Sequence, residues 1–349
     1  MEIKILNQPG FAEVVSCFDP ESGLRAIIAI HSTKLGPALG GIRMLPYADE
    51  EAALKDVLLL AKAMTYKAAA AHLKLGGGKA VIIGDPVIRK TVPLLHAMGQ
   101  FIDQFQGRYI AAKDAGITTD DLVEISKVTK HVTGLPKSMN GSGDPSPWTA
   151  IGILEGIRAC VEEQMGRNRL QGLTAAIQGI GHVGFSLAEL LHEKKVKLII
   201  SDTNPELLQR AQKVLHAEIV SPDEIYSVKA HIFSPCALGA IISDETISKL
   251  QCSIIAGGAN NQLADEAKHD QELAKRRILY APDYIINAGG LINIYARDIL
   301  KENDSLPRIQ KIHDNLIEIF HIAREKKIGT AQAANQITET FLESLPLNR

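Results

Sequence analysis

Hydrophobic positions follow two rhythms along this chain, and a short polar stretch separates them. In the first part, Glu13–Phe18 and Arg25–His31 read as strands parted by the turn-rich DPESG. Asp49–Ala71 has helical spacing, with Leu54, Val57, Leu58, Ala61 and Met64 on one face. Lys79–Ile83 reads as a buried strand, Pro93–Phe105 as a helix and Tyr109–Ala112 as a strand that ends near Asp114. In the second part the order is strand, helix, strand. Leu173–Gln178, Val196–Ser201, His231–Ser234, Ser253–Ala256 and Ile278–Tyr280 fit strands, and Val183–Lys194 and Pro205–Leu215 fit helices. Ile309–Lys326 and Thr330–Leu345 read as two closing helices.

Between the two parts lies GLPKSMNGSGDPSP, residues 134–147, in which nine of fourteen residues are Gly, Ser or Pro. The domain connection belongs there. The expected division is 1–134, a connection over 135–149, and 150–325, with the closing helices over about 326–349 packing back on the first domain. The fold class is α/β with two domains. The strand–helix alternation of the second implies a doubly wound, mostly parallel sheet of Rossmann type.

The composition removes several functions. A net charge of -2 without a basic tail gives no footing for nucleic acid or an anionic membrane. No apolar run approaches the roughly 18 residues of a membrane span. The start, MEIKILNQPGF, lacks the cationic and apolar segments of a secretory leader. Cys17, Cys160, Cys236 and Cys252 are scattered, which fits a reducing cytoplasm better than a disulfide framework. The 11 histidines form no HExxH and no spacing with cysteine that suits a metal.

Two stretches carry chemistry. Gly179, Gly181 and Gly184 form GxGxxG between a predicted strand and a predicted helix. Such a loop, Gly179, Ile180, Gly181, His182, Val183 and Gly184, lets backbone approach a pyrophosphate at a helix N-terminus. Asp202 ends the next strand, 23 residues past the first glycine, as a ribose-binding carboxylate does. A carboxylate there favours NAD over NADP, because it repels a 2′-phosphate. The other stretch is MTYKAAAAHLKLGGGKAVIIGDP, Met64–Pro86. Lys55 and Lys62 read as solvated helix lysines. Lys67 instead precedes four alanines, which let another group come close. Lys79 follows three glycines and enters an apolar strand, where a charge is costly unless it is paired or its pKa falls.

The blocks GPALGGIRM (Gly36–Met44), MTYKAA (Met64–Ala69), LKLGGGKAVIIGDP (Leu73–Pro86), NGSGDPSPWTA (Asn140–Ala150), SPCALGA (Ser234–Ala240), GGANNQL (Gly257–Leu263) and APDYIINAGGLIN (Ala281–Asn293) run in order over most of the chain. Together they resemble the Glu/Leu/Phe/Val dehydrogenases, and within that family the branched-chain members. The resemblance implies NAD-dependent oxidative deamination of an aliphatic L-amino acid. It implies that the first domain binds substrate and mediates oligomerisation, that the second binds NAD, and that the chain forms a homo-oligomer, an octamer or a dimer. It implies that Lys67 binds the substrate carboxylate, that Lys79 activates water, and that Asp114 exchanges protons with the amine. Gly40, Gly41, Met64, Asn261 and Asn287 then belong with the substrate, and Thr149 and Asn260 with the cofactor.

Three residues depart from the family's commonest pattern: Lys113, Ile42 and Gly78. Lys113 is expected to face solvent, since strand neighbours alternate. For the side-chain pocket, Leu39 stands where glutamate-specific members carry a lysine, so a distal carboxylate finds no partner. Leu291 and Ile294, three apart on one helix face, add an apolar wall, and Ala112 a small contact. This suits leucine, valine or isoleucine, while phenylalanine stays open. A 2-hydroxy-acid dehydrogenase is a rival reading, but it leaves Lys67 and Lys79 without a role. A non-catalytic NAD-binding protein is another, and the intact Lys67, Lys79 and Asp114 argue against it.

Overall fold

The computed structural model describes residues 1–237 and 239–345. They form two compact units: 1–144 with 294–303 and the C-terminal stretch from 339, and 145–293 with 304–338.

The first unit holds β1 (Glu2–Ile5), β2 (Glu13–Asp19), β3 (Leu24–Ser32), β4 (Ala38–Leu45), α1 (Glu50–Ala70), β5 (Gly76–Ile83), α2 (Val92–Asp103), β6 (Tyr109–Lys113) and α3 (Thr119–Ser126). Its sheet order is β1-β2-β3-β5-β4-β6. The first pairs are antiparallel, and β4 runs parallel to both β5 and β6. Alternation sorts the core. Leu24, Ala26, Ile28 and Ile30 of β3 join Leu94, Met98 and Phe101 of α2, while Ile27 and Ala29 join Val57 and Ala61 of α1. Asp49 caps α1, its carboxylate accepting the Ala52 N–H at 2.7 Å.

Two expectations for this unit change. β5 begins at Gly76 rather than Lys79, so the triple glycine is strand and not turn. The reason is close approach: a Cβ on Gly77 would lie 2.1 Å from the Thr65 nitrogen of α1. β4, which was legible only as a motif, is a strand whose Gly40 faces β5. A Cβ there would lie 1.7 Å from the Gly78 carbonyl oxygen.

The second unit opens with α4 (Ser146–Met165), then β7 (Thr174–Gln178), α5 (His182–Glu193), β8 (Lys197–Ser201), α6 (Pro205–Leu215), β9 (Glu218–Ile219), β10 (Ile232–Pro235), α7 (Asp244–Ile247), β11 (Ile254–Ile255), α8 (Glu266–Lys275), β12 (Leu279–Tyr280), α9 (Asp283–Ile286), α10 (Gly289–Ile294), α11 (Leu306–Lys326) and α12 (Thr330–Ser344). Its sheet is parallel throughout, in the order β12-β11-β10-β7-β8-β9. Read from the other edge, this is the doubly wound 3-2-1-4-5-6 order, with its switch point between β7 and β10.

The connection 135–149 contains the first turn of α4, because Pro147 sits in the first turn of a helix, where its missing N–H costs nothing. The range 150–325 is interrupted. Residues 294–303 belong to the first unit, where Asp298 accepts the Gly134 N–H and the Ser142 hydroxyl, each at 2.8 Å. The return to the first unit begins at 339 rather than 326. Tyr66 donates to Glu339 at 2.9 Å, and Phe341 meets His72 edge-on. Residues 346–349 of the expected closing segment, and Leu238 of SPCALGA, lie outside the described residues.

Gly40→Ala is expected to destabilise the protein by at least about 3 kcal/mol, because the new methyl overlaps a backbone carbonyl that cannot rotate away. Urea unfolding measures this, and an unchanged midpoint would show that β4 and β5 part freely.

Candidate active site

The C-terminal half of β4, the start of β5 and the end of β6 bring five charged or phenolic groups together within the first unit. Lys79 is the fourth residue of β5 and is 6% exposed. Its Nζ lies 2.5 Å from Asp114 Oδ2, just past the end of β6. Arg43 of β4 donates from Nε to the same oxygen at 3.1 Å. Its Nη1 donates to Asp56 Oδ2 of α1 at 3.1 Å, and the Tyr47 hydroxyl donates to that oxygen at 2.5 Å. Gly41 makes room for this, since a Cβ there would lie 2.7 Å from the Asp114 Cβ.

The electrostatics follow from burial and pairing. Burial pushes the Lys79 ammonium below its ordinary pKa, and the opposing pull of Asp114 does not restore it. Burial works to raise Asp114, but Lys79 and then Arg43 outweigh it and hold the carboxyl below its usual range. Burial also works against the Arg43 charge, and Asp114 and Asp56 overcome it. The site therefore keeps a carboxylate and a readily deprotonated amine side by side.

Other sequence-derived candidates of this unit fall nearby along the chain. Lys67 lies in the last turn of α1, two residues past the Thr65 that abuts Gly77. Met64 is half-buried, and Leu39 and Ala112 are buried at 2% and 5% exposure. Leu39 pairs in register with Gly77 and Ile110. Tyr109 donates its hydroxyl to the Gly40 carbonyl at 2.7 Å. Lys113 is exposed, as alternation requires. Ile42 is core. Gly78 has a local reason, since a Cβ there would press the Tyr109 ring at 2.9 Å. Lys55 and Lys62 are exposed. Ile294, at the end of α10, is buried.

In the second unit the glycine loop lies between β7 and α5, as read. Gly179 has φ +90°, and Gly181 is the N-cap of α5 with no side-chain cap and open space where a Cβ would stand. Gly184 packs on the Gly179 carbonyl. Ile180 is buried, Val183 half-buried and His182 exposed. An uncapped helix N-terminus beside a turn without side chains suits a dinucleotide pyrophosphate. Asp202 follows β8. Its Oδ2 accepts the Ile180 N–H at 2.7 Å and its Oδ1 the Asn204 N–H at 2.8 Å, so it also fixes the loop.

Asn287 donates from Nδ2 to Asn260 Oδ1 at 2.8 Å and to the Gly258 carbonyl at 3.2 Å. Its Oδ1 is buried with no partner among the described residues, an acceptor awaiting a donor. Asn261 holds φ +51° and its carbonyl accepts the Ala240 N–H. Thr149 donates its hydroxyl to the Pro145 carbonyl within α4, and Leu291 is buried in α10. Among the described residues no three His, Cys, Asp or Glu side chains could hold a metal ion. Among the same residues no helix is long and apolar enough to cross a membrane.

Sequence reasoning named Lys79 and Asp114 and missed Arg43, Asp56 and Tyr47 as partners of that pair. One signal was present: Gly41 and Arg43 are two apart on a strand, so both point at whatever the glycine makes room for.

Comparison with known proteins places the chain among relatives of similar sequence and fold. Residues 12–131 match the Glu/Leu/Phe/Val dehydrogenase dimerisation-domain model, and residues 202–338 match the Glutamate/Leucine/Phenylalanine/Valine dehydrogenase model. Leucine dehydrogenase of Thermoactinomyces intermedius is 47% identical over 97% of this chain and 93% of its own length. L-tryptophan dehydrogenase of Nostoc punctiforme is 48% identical over 96% of this chain and 94% of its own. The crystal structure of L-tryptophan dehydrogenase from Nostoc punctiforme superposes with a TM-score of 0.83, covering 96% of each chain at 46% identity. The resemblance and the two-domain α/β fold read from the sequence are both borne out.

The low pKa of Asp114 has a stability signature. Its carboxylate contributes fully above the ordinary carboxylate pKa, and the contribution is lost as pH falls through its folded, depressed value. The stability advantage of the wild type over Asp114→Asn is expected to be constant above about pH 4 and to shrink below it. Urea midpoints from pH 7 to pH 3 check this, and an advantage that grows on acidification would reverse the sign.

Proposed function

The chain belongs to the Glu/Leu/Phe/Val dehydrogenase family and is an amino-acid dehydrogenase; we propose that it catalyses the reversible NAD-dependent oxidative deamination of an aliphatic L-amino acid. Leucine is the preferred substrate, with valine and isoleucine accepted, and the products are the 2-oxo acid, ammonium and NADH. The observation that carries this reading is the buried Lys79–Asp114 pair at 2.5 Å.

In this reading Lys67 holds the substrate carboxylate and Gly40 and Gly41 leave room for the α-carbon. NAD, when bound, accepts the hydride from that carbon. Lys79, whose burial favours its neutral form, takes a proton from water as the water adds to the resulting imine. Asp114, held ionised by its two cations, exchanges the proton with the departing amine. One amino acid, one NAD⁺ and one water thus give one 2-oxo acid, one ammonium, one NADH and one proton.

Gly179, Ile180, Gly181, His182, Val183 and Gly184 hold the pyrophosphate at the N-terminus of α5, and Asp202 selects NAD by its charge. Asn260 and Thr149 serve the cofactor in the same unit, and Asn287 offers its unpartnered buried Oδ1 as an acceptor. Leu39, Met64, Ala112 and Ile294 of the first unit form the side-chain wall. The protein works as a homo-oligomer, an octamer or a dimer. Ile3 and Ile5, on one face of the edge strand β1 and 47% and 75% exposed, support this. A cytoplasmic setting is part of the same reading, supported by four free thiols.

Lys79→Ala is expected to lose nearly all turnover, on the order of 10²-fold or more, while still binding NADH. Steady-state deamination beside NADH fluorescence titration checks this, and near-normal turnover would remove Lys79 from the chemistry.

The substrate assignment is tested by catalytic efficiencies for leucine, valine, isoleucine, phenylalanine, tryptophan and glutamate, each with NAD and NADP. Leucine should lead and glutamate should fail, because an unpaired buried carboxylate costs far more than a misfit methylene. Glutamate in first place would overturn the pocket reading, an aromatic substrate its volume half, and equal use of NADP the role of Asp202.

A further inference from the structure

We propose that Arg43 is a positioning residue for this reaction, clamped between Asp114 and Asp56 so that it sets both the orientation of Asp114 and the charge felt by Lys79. The inference rests on the proposed deamination and names a residue that this reading does not use.

The geometry supports it in three ways. Arg43 bonds two carboxylates through different nitrogens, Nε to Asp114 at 3.1 Å and Nη1 to Asp56 at 3.1 Å. A planar guanidinium fixed at both ends has no rotational freedom left. Lys79 and Arg43 converge on the same oxygen, Asp114 Oδ2, at 2.5 and 3.1 Å, so the carboxylate is held from two sides. The far end is itself secured: Tyr47 donates its hydroxyl to Asp56 at 2.5 Å, and Asp56 sits in α1, whose last turns press on β5 at Gly77. The chain Tyr47–Asp56–Arg43–Asp114–Lys79 thus joins the β4–α1 loop, α1, β4, β6 and β5.

The charges acting on Lys79 come from each of these elements: Arg43 from β4, Asp56 from α1 and Asp114 just beyond β6, with the neutral phenols of Tyr47 and Tyr109 beside them. Arg43 and Asp56 act on the Lys79 amine with opposite sign, the first lowering its pKa and the second raising it. A merely structural clamp has no such sign. Loosening it from either side would admit water and move Lys79 the same way, toward its ordinary value.

The test is the pH dependence of kcat/KM for leucine deamination in wild type, Arg43→Gln, Asp56→Asn and Arg43→Lys. The acid limb reports the amine that must be neutral. It should move to higher pH in Arg43→Gln and to lower pH in Asp56→Asn. Arg43→Lys keeps the charge and loses the two-ended grip. It should leave the limb in place and lower kcat by about 10-fold or more, with a smaller change in KM. It keeps the question open to measurement even if Arg43→Gln does not fold. An active wild type whose Arg43→Lys matches it in kcat, or whose limb moves the same way in Arg43→Gln and Asp56→Asn, overturns the role of Arg43 alone. A wild type that reduces NAD with no amino acid overturns the proposed function, and this inference with it.

Discussion

An ammonium buried beside a carboxylate is the constraint around which the first unit is arranged. Lys79 enters the sheet at a position where nearly all of its surface is covered. An unpaired charge there would cost several kcal/mol. Asp114 supplies the partner, and Arg43 a second cation that keeps the carboxylate ionised although burial opposes it. The balance is unequal. Asp114 is held firmly charged, whereas Lys79 is pushed toward neutrality, and that inequality is what acid–base work needs.

Such a pair requires three strands to converge more closely than side chains allow. Gly40 and Gly41 in β4 and the glycines that begin β5 remove the obstructing atoms, and the seam they leave is filled by backbone and by the reactive groups. The triple glycine does more than relax the chain. It lets α1 rest on β5 at Gly77, which places the turn carrying Lys67 against the strand carrying Lys79. The residues flanking the seam are large and apolar, so the polar cluster sits at the edge of two hydrophobic layers and not inside either.

The second unit presents backbone more than side chains where its sheet meets α5, which suits a charged dinucleotide. Its parallel strands end together at the switch point between β7 and β10. There Gly179 takes a left-handed turn and α5 begins without a side-chain cap. Asp202 anchors the turn through the Ile180 N–H, so the residue expected to meet the ribose also shapes the loop above it. Residues 294–303 show how closely the chain is interwoven, since they return to the first unit, where Asp298 accepts from the backbone of Gly134 and the side chain of Ser142.

Periodicity alone placed α1, α6 and the long strands to within a few residues, because their apolar stripes are long and unbroken. GxGxxG placed the glycine turn between β7 and α5, because local backbone geometry dictates those residues. The motif blocks identified the family, and the Lys79–Asp114 pair they single out does meet in the fold. Tertiary structure decided what lies outside local rules. β4 and the start of β5 are strands in spite of their glycines, since the constraint comes from neighbours distant in sequence. The helix α4 was not read from the sequence, and its start hid within a stretch rich in Gly, Ser and Pro, because a proline in a helix's first turn looks the same as one in a loop. The partnership of Arg43 with Asp56 and Asp114 joins residues 13 and 71 positions apart, a distance at which no spacing rule operates. Only the packed sheet brings them within reach of one another.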